Sequence, residues 1–245
     1  MIETATILFP ILHGLGLSGF LTALGLAIGQ KPVAAAYAFL AGMGGLLLNW
    51  GLIIVAAQRL PLYGMFESMT TILLIAGGCL FFDPKKPAGA DTIGYGFMAL
   101  LSGCLFLFPL GLNHDFFLYK SPWVQCFFFF RLLSAGVLFF AGIRFTVALT
   151  DAIAPANRMA YAKQQARLLL AGTVLFLLSE FSGSVWCLKG WGDSWRWSEN
   201  FFQSAAIFFL IMLNLHIPLH LLHHRRARTA LGALSSFAVV FLFLW

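Results

Sequence analysis

Four tryptophans that cluster between two apolar runs are the residues with the clearest chemical potential. The segment from Trp186 to Trp197 holds four of the seven tryptophans, with Trp191-Gly192 followed by Trp195. One interpretation is an interfacial belt, in which indole rings lie at the headgroup level of a bilayer. The other is a flat apolar platform that stacks on a large planar ligand and shields it from water. Spacing alone leaves both interpretations open.

Histidines are the second group that could do chemistry, because neutral imidazole is a good ligand for iron. His13 lies in the first apolar run and His216 in the seventh. Two histidines that hold one iron must come from opposing elements, as these two would. The alternative is that each histidine is an interhelical hydrogen-bond partner within a membrane. The position of each residue in its run predicts that His13 lies in the outer half of the bilayer and His216 in the inner half.

Two charged residues interrupt apolar runs and therefore need partners. Arg131 and Glu180 lie at similar distances from the predicted outer ends of the fifth and sixth helices. A charge in hydrocarbon costs at least roughly 2.5 kcal/mol, so both side chains should face the interior and pair directly or share a polar ligand group. Arg131, like the more exposed Arg196, is suited to bind an anionic ligand group. A purely structural ion pair is the alternative.

The composition indicates that helices crossing a membrane position these residues. Of the 245 residues, 60% are hydrophobic and 10% are charged, whereas a soluble domain has about 25% charged residues. The apolar runs are about 17–25 residues long, as membrane-spanning helices require. They lack the alternation of a β-barrel. The first run follows Glu3 without a basic segment, so we predict a membrane helix rather than a removable signal peptide. No hydrolase or nucleotide-binding motif occurs.

We predict an all-α fold, a polytopic bundle of about eight transmembrane helices that forms a single domain over residues 1–245. Proline-containing breaks separate the helices. The predicted helices cover residues 6–29, 33–57, 66–82, 93–112, 123–149, 164–188, 200–222 and 229–245.

The distribution of cations predicts the orientation in the membrane. One set of alternating loops and helix ends contains ten lysines and arginines, and the other set contains four. The larger set should face the cytoplasm, so that both termini and the tryptophan segment face outward. This placement also accounts for the net charge of +6 without nucleic-acid binding. The larger set is Lys31, Lys85, Lys86, Arg144, Arg158, Lys163, Arg167, Arg225, Arg226 and Arg228, and the smaller set is Arg59, Lys120, Lys189 and Arg196.

The four cysteines form no CxxC pair, which excludes a c-type haem attachment motif and zinc-type spacing. Small apolar packing is the simplest role for them. Cys126 and Cys187 are both predicted near the outer face, where a disulfide is an option.

The tryptophan spacing resembles that of a known family. Trp191-Gly192-x-x-Trp195-x-Trp197 is similar to the WGxxWxW core of the cytochrome c assembly family, haem-handling membrane proteins that include the CcsA (ResC), CcmC and CcmF types. Weaker similarities extend over most of the chain. They are the Leu215-His216 pair, the segment from Leu60 to Ser68, and Lys120-Ser121-Pro122-Trp123.

The resemblance implies a function and a set of contacts. It implies that haem b is presented at the outer face of a bacterial cytoplasmic membrane, with partners of the cytochrome c maturation machinery and apocytochrome c as acceptor. The haem contacts that it implies, together with the residue chemistry above, are Trp191, Gly192, Trp195, Trp197, Arg131, Arg196, His13, His114 and His216. His216 and His13 are the candidate iron ligands.

The sequence also departs from the family at two places. Ser198 stands where the core usually has Asp, and the stretch after Trp123 lacks the outward histidine of CcsA-type members. His114 is the only histidine in the predicted outer loops. Three alternatives therefore stay open: a b-haem electron-transfer subunit of a respiratory complex, a haem-free assembly or regulatory member of the HemX type, and, last, a small-solute transporter.

Overall fold

The computed structural model describes residues 2–84, 86–87, 89–112, 120–150, 153–193, 199–216 and 225–244. These residues form eight α-helices, and no strand occurs among them. This helical content confirms the all-α prediction. The helices are α1 (Ile2–Ile28), α2 (Pro32–Ala57), α3 (Met65–Phe81), α4 (Ala90–Cys104), α5 (Pro122–Leu149), α6 (Arg158–Trp191), α7 (Glu199–His216) and α8 (Arg225–Leu244).

Helix length and composition fit a multi-pass membrane protein. Within the described residues, six helices are long and apolar enough to cross a bilayer: α1, α2, α4 with the 3-10 turn that follows it, α5, α6 and α8. The described apolar parts of α3 and α7 are shorter, Met65–Phe81 and Phe202–His216. Many large apolar side chains are exposed, among them Leu48, Phe181 and Phe209. Such exposure is favourable when hydrocarbon chains surround the helices.

The chain divides into two compact units, Met1–His114 and Asp115–Trp245. Unit 1 contains α1–α4 and unit 2 contains α5–α8. The single-domain organisation of residues 1–245 and the outward direction of both termini stay predictions.

In unit 1, α1 and α2 cross in close backbone contact. A Cβ atom added to Gly19 would lie 2.5 Å from the Gly42 Cα, and one added to Gly42 would lie 2.9 Å from the Gly16 carbonyl oxygen. Side chains at these positions would force the helices apart. Small residues at helix crossings permit this approach, which supplies van der Waals contact where no hydrophobic effect drives association. Phe20 and Phe39 fill the space beside the crossing at 5.5 Å between ring centroids.

A buried ion pair fixes the connection between α2 and α3. Glu67, whose side chain is fully buried, accepts hydrogen bonds from Arg59 Nη1 at 2.6 Å and Nη2 at 3.0 Å. The Tyr63 N–H donates to the same carboxylate at 3.1 Å. This bidentate geometry satisfies the carboxylate in the first turn of α3, where the helix dipole also favours a negative charge. Arg59 was predicted in an outer loop, without a partner.

In unit 2, α5 packs against α6 and α8, and α7 packs against the same two helices. Gly142 of α5 meets Phe237 of α8, and Gly172 of α6 meets Leu138 of α5. Phe176, Ile207 and Val239 belong to the apolar core of this unit. Both α6 and α8 run antiparallel to α5. The starts of α6 and α8 therefore lie together at one end of unit 2, termed the basic end, and the end of α6 lies at the other, termed the tryptophan end.

Helix α6 is longer than predicted at both ends, because it spans Arg158–Trp191 instead of residues 164–188. Its 34 residues have a length of about 51 Å at the α-helical rise, whereas the hydrocarbon core is about 30 Å thick. The polar first turns, with exposed Lys163 and Arg167, account for the excess at the basic end. Prediction from apolar runs missed them because a polar helix segment outside the bilayer carries no apolar signal.

Candidate functional site

The first two tryptophans of the tryptophan segment lie in the last turns of α6. Trp186 and Trp191 are helical, and Gly192 ends the helix in the left-handed conformation with φ of 76°. The Gly192 N–H donates to the Leu188 carbonyl at 3.0 Å. The prediction that Trp191 lies in a loop is therefore wrong. The Trp-Gly pair works as a helix C-terminus, where glycine adopts a positive φ without steric cost.

Substitution of Gly192 should therefore cost stability through the backbone. Gly192→Ala keeps open space around the new methyl group, since nothing lies within 4 Å of it. We expect a loss of about 1 kcal/mol from the strained φ alone, measured by thermal unfolding in detergent. Gly78→Ala is the matched control, because Gly78 is helical and also has open space around its Cβ position. An equal effect of both substitutions would contradict the left-handed cap.

Four aromatic side chains form a cluster at the tryptophan end, termed the aromatic cluster: Trp123, Phe127, Trp186 and Trp191. The ring centroids of Trp186 and Trp191 are 5.2 Å apart, and those of Phe127 and Trp186 are 6.4 Å apart. Lys189 Nζ lies 5.1 Å from the Trp123 ring centroid. Trp191 is 46% exposed. The cluster thus offers a half-exposed indole with other rings packed behind it.

A buried polar network lies next to the aromatic cluster on the interior side. Arg131 Nη1 is 3.9 Å from Glu180 Oε1, and Arg131 Nη2 donates to Gln203 Oε1 at 3.1 Å. Ser204 Oγ donates to Glu180 Oε1 at 3.0 Å. The Arg131 guanidinium also lies 5.0 Å from the Phe127 ring centroid. The Arg131–Glu180 pairing and their similar depth confirm the prediction from sequence.

Three helices contribute the polar groups of this network. Arg131 comes from α5, Glu180 from α6, and Gln203 and Ser204 from α7. The Gln203 amide also donates to the Leu242 carbonyl of α8. All four helices of unit 2 therefore meet at this level. The polar pair Gln203-Ser204 within an apolar run was a signal of this role that sequence analysis did not use.

His13 is fully buried in unit 1. Its Nε2 lies 2.9 Å from the Ser102 carbonyl oxygen and 3.1 Å from Ser102 Oγ. A carbonyl only accepts, so Nε2 carries the proton in the neutral ring and the lone pair is on Nδ1, which is buried without a partner. Phe66 and Phe106 flank the ring at 6.0 and 5.2 Å between centroids. These contacts lie near the start of α3 and the end of α4, the half of unit 1 that was predicted to face outward.

His216, the last described residue of α7, has the opposite arrangement. Its Nδ1 donates to the Met212 carbonyl at 3.1 Å, and its side chain is exposed. The lone pair of the neutral ring is therefore on Nε2. A backbone carbonyl that holds one ring N–H while the other nitrogen stays free is the usual arrangement of a metal-binding histidine. The chemistry of His216 thus suits iron coordination.

Trp191 and His216 lie at opposite ends of unit 2. Ser204 and Glu180 are at the same level. From that level α6 continues for eleven residues to Trp191, and α7 continues for twelve residues in the opposite direction to His216. The helical rise therefore separates Trp191 and His216 by about 34 Å along the axis. One porphyrin cannot contact both, and His216 lies towards the basic end as predicted.

Four of the predicted haem contacts fall on residues that the structure does not describe. Trp195, Trp197, Arg196 and His114 lie outside the described residues.

No group of three or more metal-binding side chains occurs in the described part of the chain. Within the described residues no disulfide joins any of the cysteines, and the Cys126–Cys187 disulfide is therefore not formed.

The comparisons with known proteins bear on the fold. No family model matches the sequence, and no curated protein matches it. Among solved structures, the chain is similar to "Cytochrome c Heme Lyase CcmF", with a TM-score of 0.67 and 14% sequence identity. The fold is that of a CcmF-like membrane protein. The alignment covers 97% of this chain and 47% of the CcmF chain, so this chain spans about half the length of that protein.

The similarity to CcmF and the sequence resemblance are independent observations. The resemblance depends on tryptophan spacing and short segments. The structural match depends on helix order and packing over nearly the whole chain. At 14% identity the match establishes the fold, and the activity follows only as a proposal.

Proposed function

We propose that this protein binds haem b and acts in cytochrome c biogenesis, presenting haem at the outer face on its tryptophan segment. The observation that carries this proposal is the half-exposed Trp191, packed against Trp186 at the end of α6, within a family-like tryptophan motif on a CcmF-like fold. Haem supplies the planar apolar surface that such a cluster suits.

The aromatic cluster fits one face of a porphyrin in chemical character. Trp191 provides an accessible apolar ring, Trp186 packs against that ring, and Phe127 packs against Trp186. A large rigid aromatic side chain contributes contact area with little loss of conformational entropy. Lys189 and Arg196 in the same segment provide cations for the carboxylates of the porphyrin. A haem held there would stay open on its other side, as presentation to apocytochrome c requires.

His216, the first candidate to ligate the haem iron, lies far from the aromatic cluster. His216 has the tautomer that suits iron, and it lies at the basic end of unit 2. We propose His216 as an iron ligand, with His13 as the second candidate and His114, from the predicted outer loops, as a third. A haem on Trp191 and a haem on His216 are separate binding events, because the distance excludes a shared porphyrin.

An optical spectrum tests this proposal directly. The full chain, expressed with sufficient haem and purified in neutral detergent, is expected to show a b-type Soret band and an α band on reduction. Trp191→Ala should weaken haem binding at the aromatic cluster by about tenfold, since it removes the exposed stacking ring. Trp50→Phe is the control, because Trp50 donates to Thr71 at 3.2 Å in unit 1. A protein without any haem band would overturn the proposal and favour a haem-free assembly role.

The missing outward histidine after Trp123 favours one second candidate, a b-haem electron-transfer subunit. Both candidates predict a haem spectrum, so a spectrum does not separate them. Deletion of the gene separates the two candidates. Loss of holocytochrome c is expected for a protein of the maturation machinery, whereas normal holocytochrome c with impaired respiration would support electron transfer.

A further inference from the structure

A buried hydrogen-bond donor without an acceptor lies inside the aromatic cluster. The indole nitrogen Nε1 of Trp186 is shielded from solvent and has no hydrogen-bond partner. Buried indole N–H groups normally find an acceptor, because an unpaired buried donor carries the full cost of its desolvation. We therefore expect a bound ligand to supply the acceptor.

The surroundings of Trp186 show from which side an acceptor could approach. A Cβ atom on Gly190 would lie 4.0 Å from Trp186 Nε1, so this side of the indole nitrogen is bordered by a residue without a side chain. Trp191, which packs on Trp186 at 5.2 Å, is 46% exposed and ends the helix. The Trp186 ring therefore lies next to an exposed ring at the end of the helix.

The charge nearby favours an anionic acceptor. Lys189, one helical turn beyond Trp186, is exposed and lies over Trp123. Arg131 is less available for this task, because Glu180 neutralises its charge and Gln203 accepts from its Nη2. The indole of Trp186, a residue outside the WGxxWxW core, is thus a buried donor of the cluster that has no acceptor.

We propose that Trp186 Nε1–H, together with Lys189, binds an anionic oxygen of the ligand that stacks on Trp191. This inference rests on the proposed function, and the ligand group that we assign is a porphyrin carboxylate. A phospholipid phosphate has the same acceptor chemistry and is the other source to be distinguished. Trp186 would then fix the orientation of the porphyrin on the cluster, with one carboxylate directed towards Gly190.

Two variants test the donor. Trp186→Phe keeps a ring in the cluster and removes the N–H, and Gly190→Leu keeps the N–H and covers it. Each should weaken haem binding by about tenfold in phosphate-free neutral detergent, the usual loss for a hydrogen bond to a charged group. Trp50→Phe removes an indole N–H that already has an acceptor in Thr71 and should leave haem affinity unchanged. Near-wild-type thermal unfolding of each variant shows that the fold is retained.

A direct readout uses the indole protons themselves. The full chain labelled with 15N-tryptophan has seven tryptophans, and the signal missing in Trp186→Phe assigns Trp186. Gallium protoporphyrin, which is diamagnetic, should move this proton downfield, and its dimethyl ester should move it less. A downfield shift produced only by anionic phosphatidylglycerol would overturn the porphyrin assignment. This inference alone would be overturned if haem binds, the Trp186 signal does not move and both variants keep the wild-type affinity. If the wild type binds no haem, the proposed function would be overturned as well.

Discussion

Arg131→Leu is expected to destabilise unit 2 by about 3 kcal/mol, because it leaves the Glu180 carboxylate in the interior without its cation. Arg131 is 6% exposed and Glu180 Oε1 lies 3.9 Å from its Nη1. The substitution also removes the guanidinium that donates to Gln203. Unfolding in mixed micelles with increasing denaturing detergent measures the loss.

The double variant Arg131→Leu/Glu180→Leu is the matched control. Removal of both charges avoids the unpaired carboxylate, so the double variant should recover most of the stability lost in the single variant. Equal instability of the single and double variants would show that packing, and not charge pairing, determines the effect. A contact between Arg131 and a haem carboxylate, which the family resemblance implies, would have its own signature although Glu180 and Gln203 already engage the guanidinium. It predicts reduced haem content in both variants, including the one whose stability is restored.

Gly19→Leu is expected to disrupt the α1–α2 contact, with a loss of about 3 kcal/mol or failure to insert correctly. A Cβ atom at Gly19 already lies 2.5 Å from the Gly42 Cα and 3.0 Å from the Ala38 carbonyl oxygen. These neighbours are backbone atoms, so they cannot rotate away, and overpacking of this kind costs about 1–3 kcal/mol even in more yielding sites. Thermal unfolding and size-exclusion chromatography in detergent measure the outcome.

Gly25→Leu provides the control on the same helix, since nothing lies within 4 Å of the Cβ position of Gly25. It should leave the fold intact. Gly19→Ala should fall between the wild type and Gly19→Leu. A Gly19→Leu variant as stable as Gly25→Leu would contradict the close crossing of α1 and α2.

Features that depend on a single helix were predicted well. Apolar runs predicted all eight helices, because a helix in hydrocarbon must satisfy its own backbone and show an apolar surface along its whole length. The pairing of Arg131 with Glu180 was predicted for a similar reason. An isolated charge in such a run requires a partner at its own depth, and helical rise gives that depth.

Features that depend on the polar ends of helices were predicted less well. The polar start of α6 and the helical position of Trp191 were missed, because outside the bilayer the apolar signal ends before the helix does. The role of Gly192 as a helix cap, shown by its positive φ, was not predicted, and its role as a haem contact stays a prediction. A glycine after a periodic segment is an indication of a helix end that could have been used.

The sequence by itself determined the class of the fold, the order of the helices, the need for a buried ion pair and the concentration of tryptophans in one segment. Those properties depend on how each segment interacts with hydrocarbon or water, which its own composition specifies. Only the tertiary structure decided which donors find acceptors. It pairs Arg59 with Glu67 and Ser204 with Glu180, and it leaves the Trp186 indole without a partner. These outcomes depend on distances between helices, which packing determines and no single segment encodes.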